Sequence, residues 1–526
     1  MILQSFSSLI GQYLWIAALA AVVAHFILNY FTPGVRTIPG PFLAKFTNLW
    51  RFYDVWKGRN DLTLNALHHK YGDNVRLGPN VVSIKNMNDI KVVYGINSGF
   101  YKSKFYAVQQ QMANGKPTVT LFTSLSEQWH ANIKRPIANA YSMTTLTDFE
   151  PFVDNMIALM FSRLDALFAT TTNTSSHDRP PPICPLFDWL QFYAFDVIGE
   201  LTCSHDLGFL STGRDMSNII RDLNATMDYN ALVGQLPWLD HLLIKNPLRQ
   251  LLLGANAATG PVARFARARL DERLLEREKG VEKPRRDFMA RFFEAKETHP
   301  AVVDDKQVFS YVVTNVFAGS DTTAISLRAV IYYVVKHPRC YERLMRELGG
   351  ARAGGRLGEC ATWRQSQELA YFDAVVKEAL RLHPAVGMLL ERVVPEGGFR
   401  LESGAFLPEG TIVGASPWVV HRDARIFGEE PDRFVPERWL QKKGESRAGW
   451  DARLQRMTRA TMTFGMGPRT CIGKNISLLE IYKLLPSLFL RYDIQLVDPK
   501  AEWKITNSWF ARQEGVEFHL TRRMDV

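Results

Sequence analysis

Hydrophobic and polar positions divide this chain into one uninterrupted apolar run, a few short alternating stretches and many segments of helical period. Residues 13–31 are almost continuously apolar, which is long enough to span a bilayer, and no Asp, Glu, Lys or Arg precedes Arg36. Trp15 lies within this run and tyrosines stand near both its ends, the residue types favoured at membrane interfaces. The run gives way to Thr37-Ile38-Pro39-Gly40-Pro41, where no helix can continue. Residues 74–84 (NVRLGPNVVSI) alternate β-favouring side chains around a Pro-Asn turn and predict a hairpin. Most later segments read as helical. Residues 304–336 predict one long helix with an acidic start and a stop at His337-Pro338, and residues 474–490 predict another. Residues 169–182 and 349–360 are polar or glycine-rich and read as surface loops. Residues 260–280 carry Arg and Glu at helical spacing and read as a solvated helix face. Leu236-Pro237-Trp238-Leu239 and residues 241–244 form an apolar cluster.

Composition narrows the class. A chain of 526 residues with 46% hydrophobic and 22% charged residues is globular and can bury a large core. Its five cysteines, Cys184, Cys203, Cys340, Cys360 and Cys471, are scattered and contain no CxxC pair, so neither a disulfide framework nor a zinc site is indicated. A reducing compartment fits best. The net charge of +10 is spread among acids and lacks any stacking or zinc-finger signature, so nucleic acid is not expected as a partner. A basic surface meeting an anionic membrane or an acidic protein is the better reading. The apolar run lacks the basic leader and small-residue cleavage site of a signal peptide, which leaves it as an anchor over residues 1–35. Arg36, Lys45 and Arg51 follow it, so the rest of the chain, residues 36–526, is expected in the cytosol. Sequons at Asn173, Asn224 and Asn475 then have no bearing on glycosylation.

Candidate chemistry concentrates in Phe464 to Gly473, FGMGPRTCIG. Gly465 and Gly467 can take positive φ and let the backbone lie close to a flat ligand, while Pro468 stiffens the turn. Gly473 lets the next helix begin tight against the same ligand. Cys471 sits near that helix N-terminus, where free N–H groups, the helix dipole and Arg469 favour a thiolate, a ligand for a soft or borderline metal. In the long helix, Ala318 and Gly319 are small enough to pass over a flat cofactor. Thr322 can bond back to the Ala318 carbonyl and open the helix, and Asp321 beside it supplies an exchangeable proton. Glu378 and Arg381 stand three apart, the spacing of an ion pair on one helix face.

The cysteine stretch resembles the haem-binding loop of the cytochromes P-450, with phenylalanine, glycine, arginine, cysteine and glycine each at that family's spacing. Ala318-Gly319-Ser320-Asp321-Thr322-Thr323 resembles the family's oxygen-binding motif. Glu378 and Arg381 resemble its Glu-x-x-Arg pair, and Phe434 to Trp439 its second arginine motif, with Trp439 where phenylalanine is more usual. The four motifs occur in family order, and the likeness covers about residues 36–520. It implies a mostly α-helical protein with a smaller β region, the triangular helical prism with small β-sheets of the cytochrome P450 fold, behind an N-terminal transmembrane helix and a hinge. It implies one haem b with Cys471 as axial iron ligand, Asp321 and Thr322 in proton delivery, and a buried network of Glu378, Arg381 and Arg438. Arg392 and Arg469 become propionate candidates, and Ala385, Val386, Gly387, Met388, Leu389, Leu390 and Phe510 become candidates for the substrate cavity, with residues 105–119 and 507–510 nearby. Trp129 to Arg135 resembles the family helix that brings an aromatic and a base, four apart, to the propionates. Here His130 and Lys134 have that spacing, whereas Trp129 and Arg135 do not.

Within the family, KRPIANAYSM, RRDFMARFFEAKETHP and LLERVVPEGG look most like fungal membrane enzymes of the pisatin-demethylase type. The resemblance implies monooxygenation of a lipophilic small molecule, a secondary-metabolite intermediate. It further implies O2 as co-substrate, electrons from NADPH-cytochrome P450 reductase with cytochrome b5 as a second donor, and residence in the endoplasmic reticulum facing the cytosol. The cluster around Trp238 would be a second contact with membrane lipid. No nucleotide-binding glycine loop is present, so the reductase is expected to be a separate chain. Two alternatives stay open: an isomerase or dehydratase of the same fold that needs no reductase, and a non-catalytic haem-thiolate binding protein.

Overall fold

In the computed structural model, which describes residues 2–113, 115–171, 180–253, 260–281 and 286–523, the apolar run forms one helix, Ile2–Tyr30. Side chains from Tyr13 to Leu28 are exposed along it, and at 1.5 Å per residue it exceeds a hydrocarbon core of about 30 Å. Its C-terminal end is held by the rest of the fold. Arg76, fully buried, donates to the carbonyls of Asn29 at 2.6 Å and Tyr30 at 3.2 Å, and also to those of Gly78 and Pro79. A cation on the last carbonyls of a helix satisfies acceptors that have no partner within the helix and complements the dipole. Asn29 Nδ2 donates to the Phe46 carbonyl at 2.7 Å, and the Tyr30 and Phe46 rings stack. The expected hinge is therefore a packed joint. Val35 and Ile38 are buried in a core shared with Val82, Ile84 and Leu407, and a Cβ on Gly40 would lie 2.1 Å from the Arg76 carbonyl oxygen.

The predicted hairpin is present as antiparallel strands Asn74–Gly78 and Val81–Ile84. It begins a five-stranded sheet that continues through Ile412–Gly414, Arg392–Val393 and Tyr101–Lys102. In that last pair Lys102 stands directly opposite Arg392. Smaller sheets of two or three strands accompany this sheet, and most of the remaining described residues are helical. Leu186–Cys203 is buried almost all round and forms the centre of the largest core, in contact with Glu150–Leu167, Asp305–Gly319 and Asp321–Lys336.

Several expectations change. The helix predicted over residues 304–336 is two helices, Asp305–Gly319 and Asp321–Lys336, broken at Ser320. Ser320 Oγ donates to the Val316 carbonyl at 3.3 Å and Thr322 Oγ1 to the Ala318 carbonyl at 2.9 Å, two hydroxyls competing for carbonyls of the helical ladder. The loop predicted to begin at residue 349 begins later, because Pro338–Ala353 remains helical through Gly349 and Gly350 by burying Leu344, Leu348 and Ala351 on one face. Residues 169–171 form an edge strand parallel to Phe518–Arg522, whereas residues 172–179 of that predicted loop lie outside the described residues. Pro261–Glu278 is a helix with mostly exposed charges, except that Arg273 is buried and pairs with Asp287 at 2.5 Å. Near Trp238, Leu236 is buried, while Trp238, Leu242 and Leu243 are exposed, as are Leu248 and Leu252 beyond them.

Candidate active site

The cysteine loop is built by its glycines. Gly465 has φ +72° and Gly467 φ +67°, and at Gly467 an added Cβ would fall 1.8 Å from the Tyr94 carbonyl oxygen. The Cys471 N–H closes the loop on the Phe464 carbonyl at 2.8 Å, and the helix Lys474–Arg491 starts directly after Gly473. At Gly473 a Cβ would meet Cys471 Sγ at an ordinary 3.9 Å, so the chain itself leaves room there. The Lys474 ammonium lies over the Phe464 ring. The Cys471 side chain has open access, yet it lies deep among protein atoms. That burial raises the thiol pKa, against the N–H groups of Gly473 and Lys474 and the cations of Lys134 and Lys474, which lower it. The sequence reading had the free thiol shifted downward with help from Arg469. Instead the net shift is upward, Arg469 is turned to Glu127, and Lys134 stands in the expected place, with Nζ bonded to the Pro468 carbonyl at 2.9 Å. Metal coordination deprotonates such a thiol outright.

Beside this loop lies a knot of positive charge. Lys102, His130, Lys134, Arg392 and Arg469 are electrostatic neighbours. The predicted spacing of His130 and Lys134 does bring both onto this cluster, from the helix Glu127–Lys134. Burial and the surrounding cations hold His130 neutral, with its pKa down at about 3, and the same causes push Lys102 well below the usual lysine range. Lys102 escaped the sequence reading. It is buried, caps the rings of Tyr106 and Phe122 at 4.2 and 4.1 Å, and faces Arg392 across two strands. Like charges opposite one another repel and need a shared counter-charge. Glu127 is the carboxylate acting on this cluster, and it forms a two-point ion pair with Arg469 Nε at 2.9 Å. Arg469 Nη1 is buried without a partner. Four lysine and arginine cations with an orphaned donor fit a group that brings carboxylates of its own.

The broken helix presents two different faces. Ala318 is exposed and Thr322 half-buried, whereas Asp321 is buried on the side of Leu186–Cys203. There Gln191 Nε2 donates to Asp321 Oδ1 at 2.5 Å, and Gln191 Oε1 accepts from Arg328 at 2.7 Å. Asp321 Oδ2 is unpartnered, and burial raises the carboxyl pKa. Gly319 packs closely on its Cβ side, where an added Cβ would lie 2.7 Å from Ile198 Cγ1. Thr323 Oγ1 donates to Ser477 Oγ at 3.1 Å, which ties this helix to the first turns of the helix that follows Cys471.

The expected charge network is compact. Arg381 donates twice to Glu378 at 2.8 Å, Arg438 Nε donates to the same carboxylate at 3.2 Å, and the Val435 amide adds another bond at 3.0 Å. Trp439 uses its indole N–H on Glu378 Oε2 at 2.9 Å, a bond that phenylalanine cannot make. Arg381 also reaches the carbonyls of His421 and Pro431.

Of the cavity candidates, Val386 and Leu390 are half-buried, and Val386 bridges to Phe510. Ala385 accepts from the Ala511 amide, and Gly387 packs against Asn507, where a Cβ would clash at 2.4 Å. Met388 and Leu389 are buried beside Trp50 and Leu64. Trp509, at φ +71°, joins Phe105, Tyr106 and Phe122 in an aromatic cluster with centroids 5.3–5.8 Å apart.

An accessible cysteine in a glycine loop, a buried cluster of cations beside it and a helix opened at Ala318 fit a haem-thiolate protein. The chain belongs to the cytochrome P450 family, whose model matches residues 38–518. It is 41% identical over 490 residues to cytochrome P450 monooxygenase cicH of Emericella nidulans, covering 93% of this chain and 94% of that one. A cytochrome P450 monooxygenase of Aspergillus terreus is 40% identical over 462 residues, 87% of this chain and 90% of its own. Cytochrome P450 monooxygenase mpaDE of Penicillium roqueforti is 38% identical over 492 residues, 93% of this chain but 55% of its own length. This chain is accordingly an oxidoreductase that incorporates oxygen and uses haem iron.

Proposed function

We propose that the protein inserts one oxygen atom from O2 into a lipophilic small molecule, a secondary-metabolite intermediate, using electrons that NADPH supplies through a separate reductase. The observation that carries this reading is the accessible Cys471 thiol beside an under-neutralised cation cluster. Cys471 would bind the iron of haem b, and Lys102, Arg392 and Arg469, with His130 and Lys134, would hold its carboxylates. The bound haem supplies oxygen activation at a thiolate-ligated iron.

The chain's own residues set protons, access and orientation. The Thr322 hydroxyl keeps its proton on the Ala318 carbonyl, at the point where the helix is open to water. Asp321, held by Gln191 with one oxygen free, is a buried acid next to that point whose raised pKa favours the protonated form. Half-buried Val386 and Leu390, backed by buried Phe510 and the Trp509 cluster, offer apolar surface that would orient a lipophilic substrate. Lys474 is exposed near the cysteine loop and available to an acidic reductase surface, with cytochrome b5 as an alternative donor; Arg469 is already engaged by Glu127. The anchor helix, with exposed Trp238, Leu242, Leu248 and Leu252, supports attachment to the endoplasmic reticulum with the catalytic body in the cytosol.

The test is reconstitution of the full chain with a P450 reductase in microsomes, following NADPH, O2 and the product formed from extracts of a strain deleted for the gene. Coupled consumption with a new oxygenated product is expected. Product formation without NADPH or O2 would overturn the reading in favour of an isomerase or dehydratase.

A further inference from the structure

We propose that Arg51 is a positioning residue, which holds the Glu391 carboxylate away from Lys102 and Arg392 and so keeps these two cations free for the carboxylates of the haem. This rests on the haem reading above. Lys102 and Arg392 are register partners on neighbouring strands, and their chain neighbours Ser103 and Glu391 are bonded to one another, Ser103 Oγ donating to Glu391 Oε2. The arrangement thus sets a carboxylate, tethered by Ser103, directly before Arg392 in the chain.

The tether is Arg51, on the helix Leu49–Trp56, whose Nη2 pairs with Glu391 Oε1. Both side chains are buried, at 9% and 4% exposure. Glu391 acts electrostatically on the hydroxyls of Tyr94 and Tyr106, the same two groups that sense Arg392. Its carboxylate therefore acts on the same two hydroxyls as Arg392, while its own ion pair is with Arg51. Without Arg51, Glu391 would be a buried carboxylate with one hydroxyl partner, and the cation next to it in the chain is Arg392. Pairing there would compete with the haem for the same donors.

The experiment uses full-length holoprotein and measures transfer of haem to excess apomyoglobin, together with the ferric/ferrous midpoint potential. Arg51→Met is expected to lose haem about tenfold faster than wild type, the scale of one charge-assisted hydrogen bond. Arg51→Met combined with Glu391→Met removes the competitor with its tether and is expected to return to within about twofold of wild type. An unchanged rate in Arg51→Met overturns the proposal. So does a double variant as fast as the single one, which would leave the pair a purely structural role. Where Arg51→Met does not fold, Arg51→Gln, which keeps a donor but no charge, carries the same comparison. A wild type that binds no haem would instead sink the haem reading itself.

Discussion

His421 Nε2 accepts the Met462 amide at 2.7 Å while its Nδ1 faces the Arg381 carbonyl at 2.9 Å, so one imidazole joins the Glu378 network to the segment leading to Cys471. The geometry fixes the Nδ1–H tautomer, because Nε2 must keep its lone pair for the amide.

The burial of this imidazole makes stability depend on pH. Burial lowers the His421 pKa to about 3, below its ordinary value of 6.5, so between these values the unfolded chain binds the extra proton. Its contribution is full above pH 6.5 and falls as pH drops toward 3, by about 1.4 kcal/mol per unit. His383, also lowered to about 3, adds in the same direction. Urea midpoints at pH 7 and pH 5 should show clear destabilisation at pH 5, and His421→Gln should flatten the slope.

Removing Glu378 leaves Arg381 and Arg438 buried without their carboxylate. Glu378→Gln should cost about 3–5 kcal/mol and largely abolish folded haem protein. Trp439→Phe removes one hydrogen bond to the same carboxylate and should cost about 1–2 kcal/mol while leaving the haem spectrum unchanged. Thermal unfolding and haem content check both.

Cys471→Ala should eliminate the red-shifted Soret band that a thiolate opposite carbon monoxide gives in the reduced complex. A spectrum unchanged from wild type would exclude Cys471 as the ligand.

Thr322→Ala should leave haem content intact and lower product per NADPH, with more hydrogen peroxide released. General acid assistance is worth about 10²- to 10⁴-fold, and bound water can replace part of it. Both ratios, measured with the native substrate, decide the point; if neither moves, the role falls to Thr323, whose hydroxyl is bound to Ser477.

Truncations on either side of Val35 should behave differently. Removing residues 2–28 takes away a helix that is exposed from Tyr13 onward, with one ring contact from Phe26 to Phe46, and should weaken membrane association with little loss of stability. Removing residues 2–35 also deletes buried Val35 and the Asn29 and Tyr30 carbonyls that occupy Arg76, and should cost at least about 2 kcal/mol in thermal or urea unfolding.

Legibility followed the range of the interaction. The positive φ of Gly465 and Gly467, the Thr322 bond to Ala318 and the pairing of Glu378 with Arg381 are set within a few residues, and local sequence reported them. Lys102 sits in a two-residue strand with no period to read, and its meaning comes only from standing opposite a residue far along the chain. Helical spacing cannot say which neighbour faces the small Gly319; on its Cβ side Ile198 does. Arg469 was placed near the sulfur by proximity in sequence, but Glu127, from a distant helix, turns its guanidinium.

The joint at Arg76 has a mechanical consequence. An anchor on a slack tether answers a bilayer too thin or too thick by tilting alone. Here the last carbonyls of the apolar helix are bonded to a guanidinium inside the first sheet, so a tilt of that helix in a bilayer would be passed on as a rotation of the rest of the fold. Lipid thickness would thereby set how high above the headgroups the exposed apolar residues around Trp238 ride.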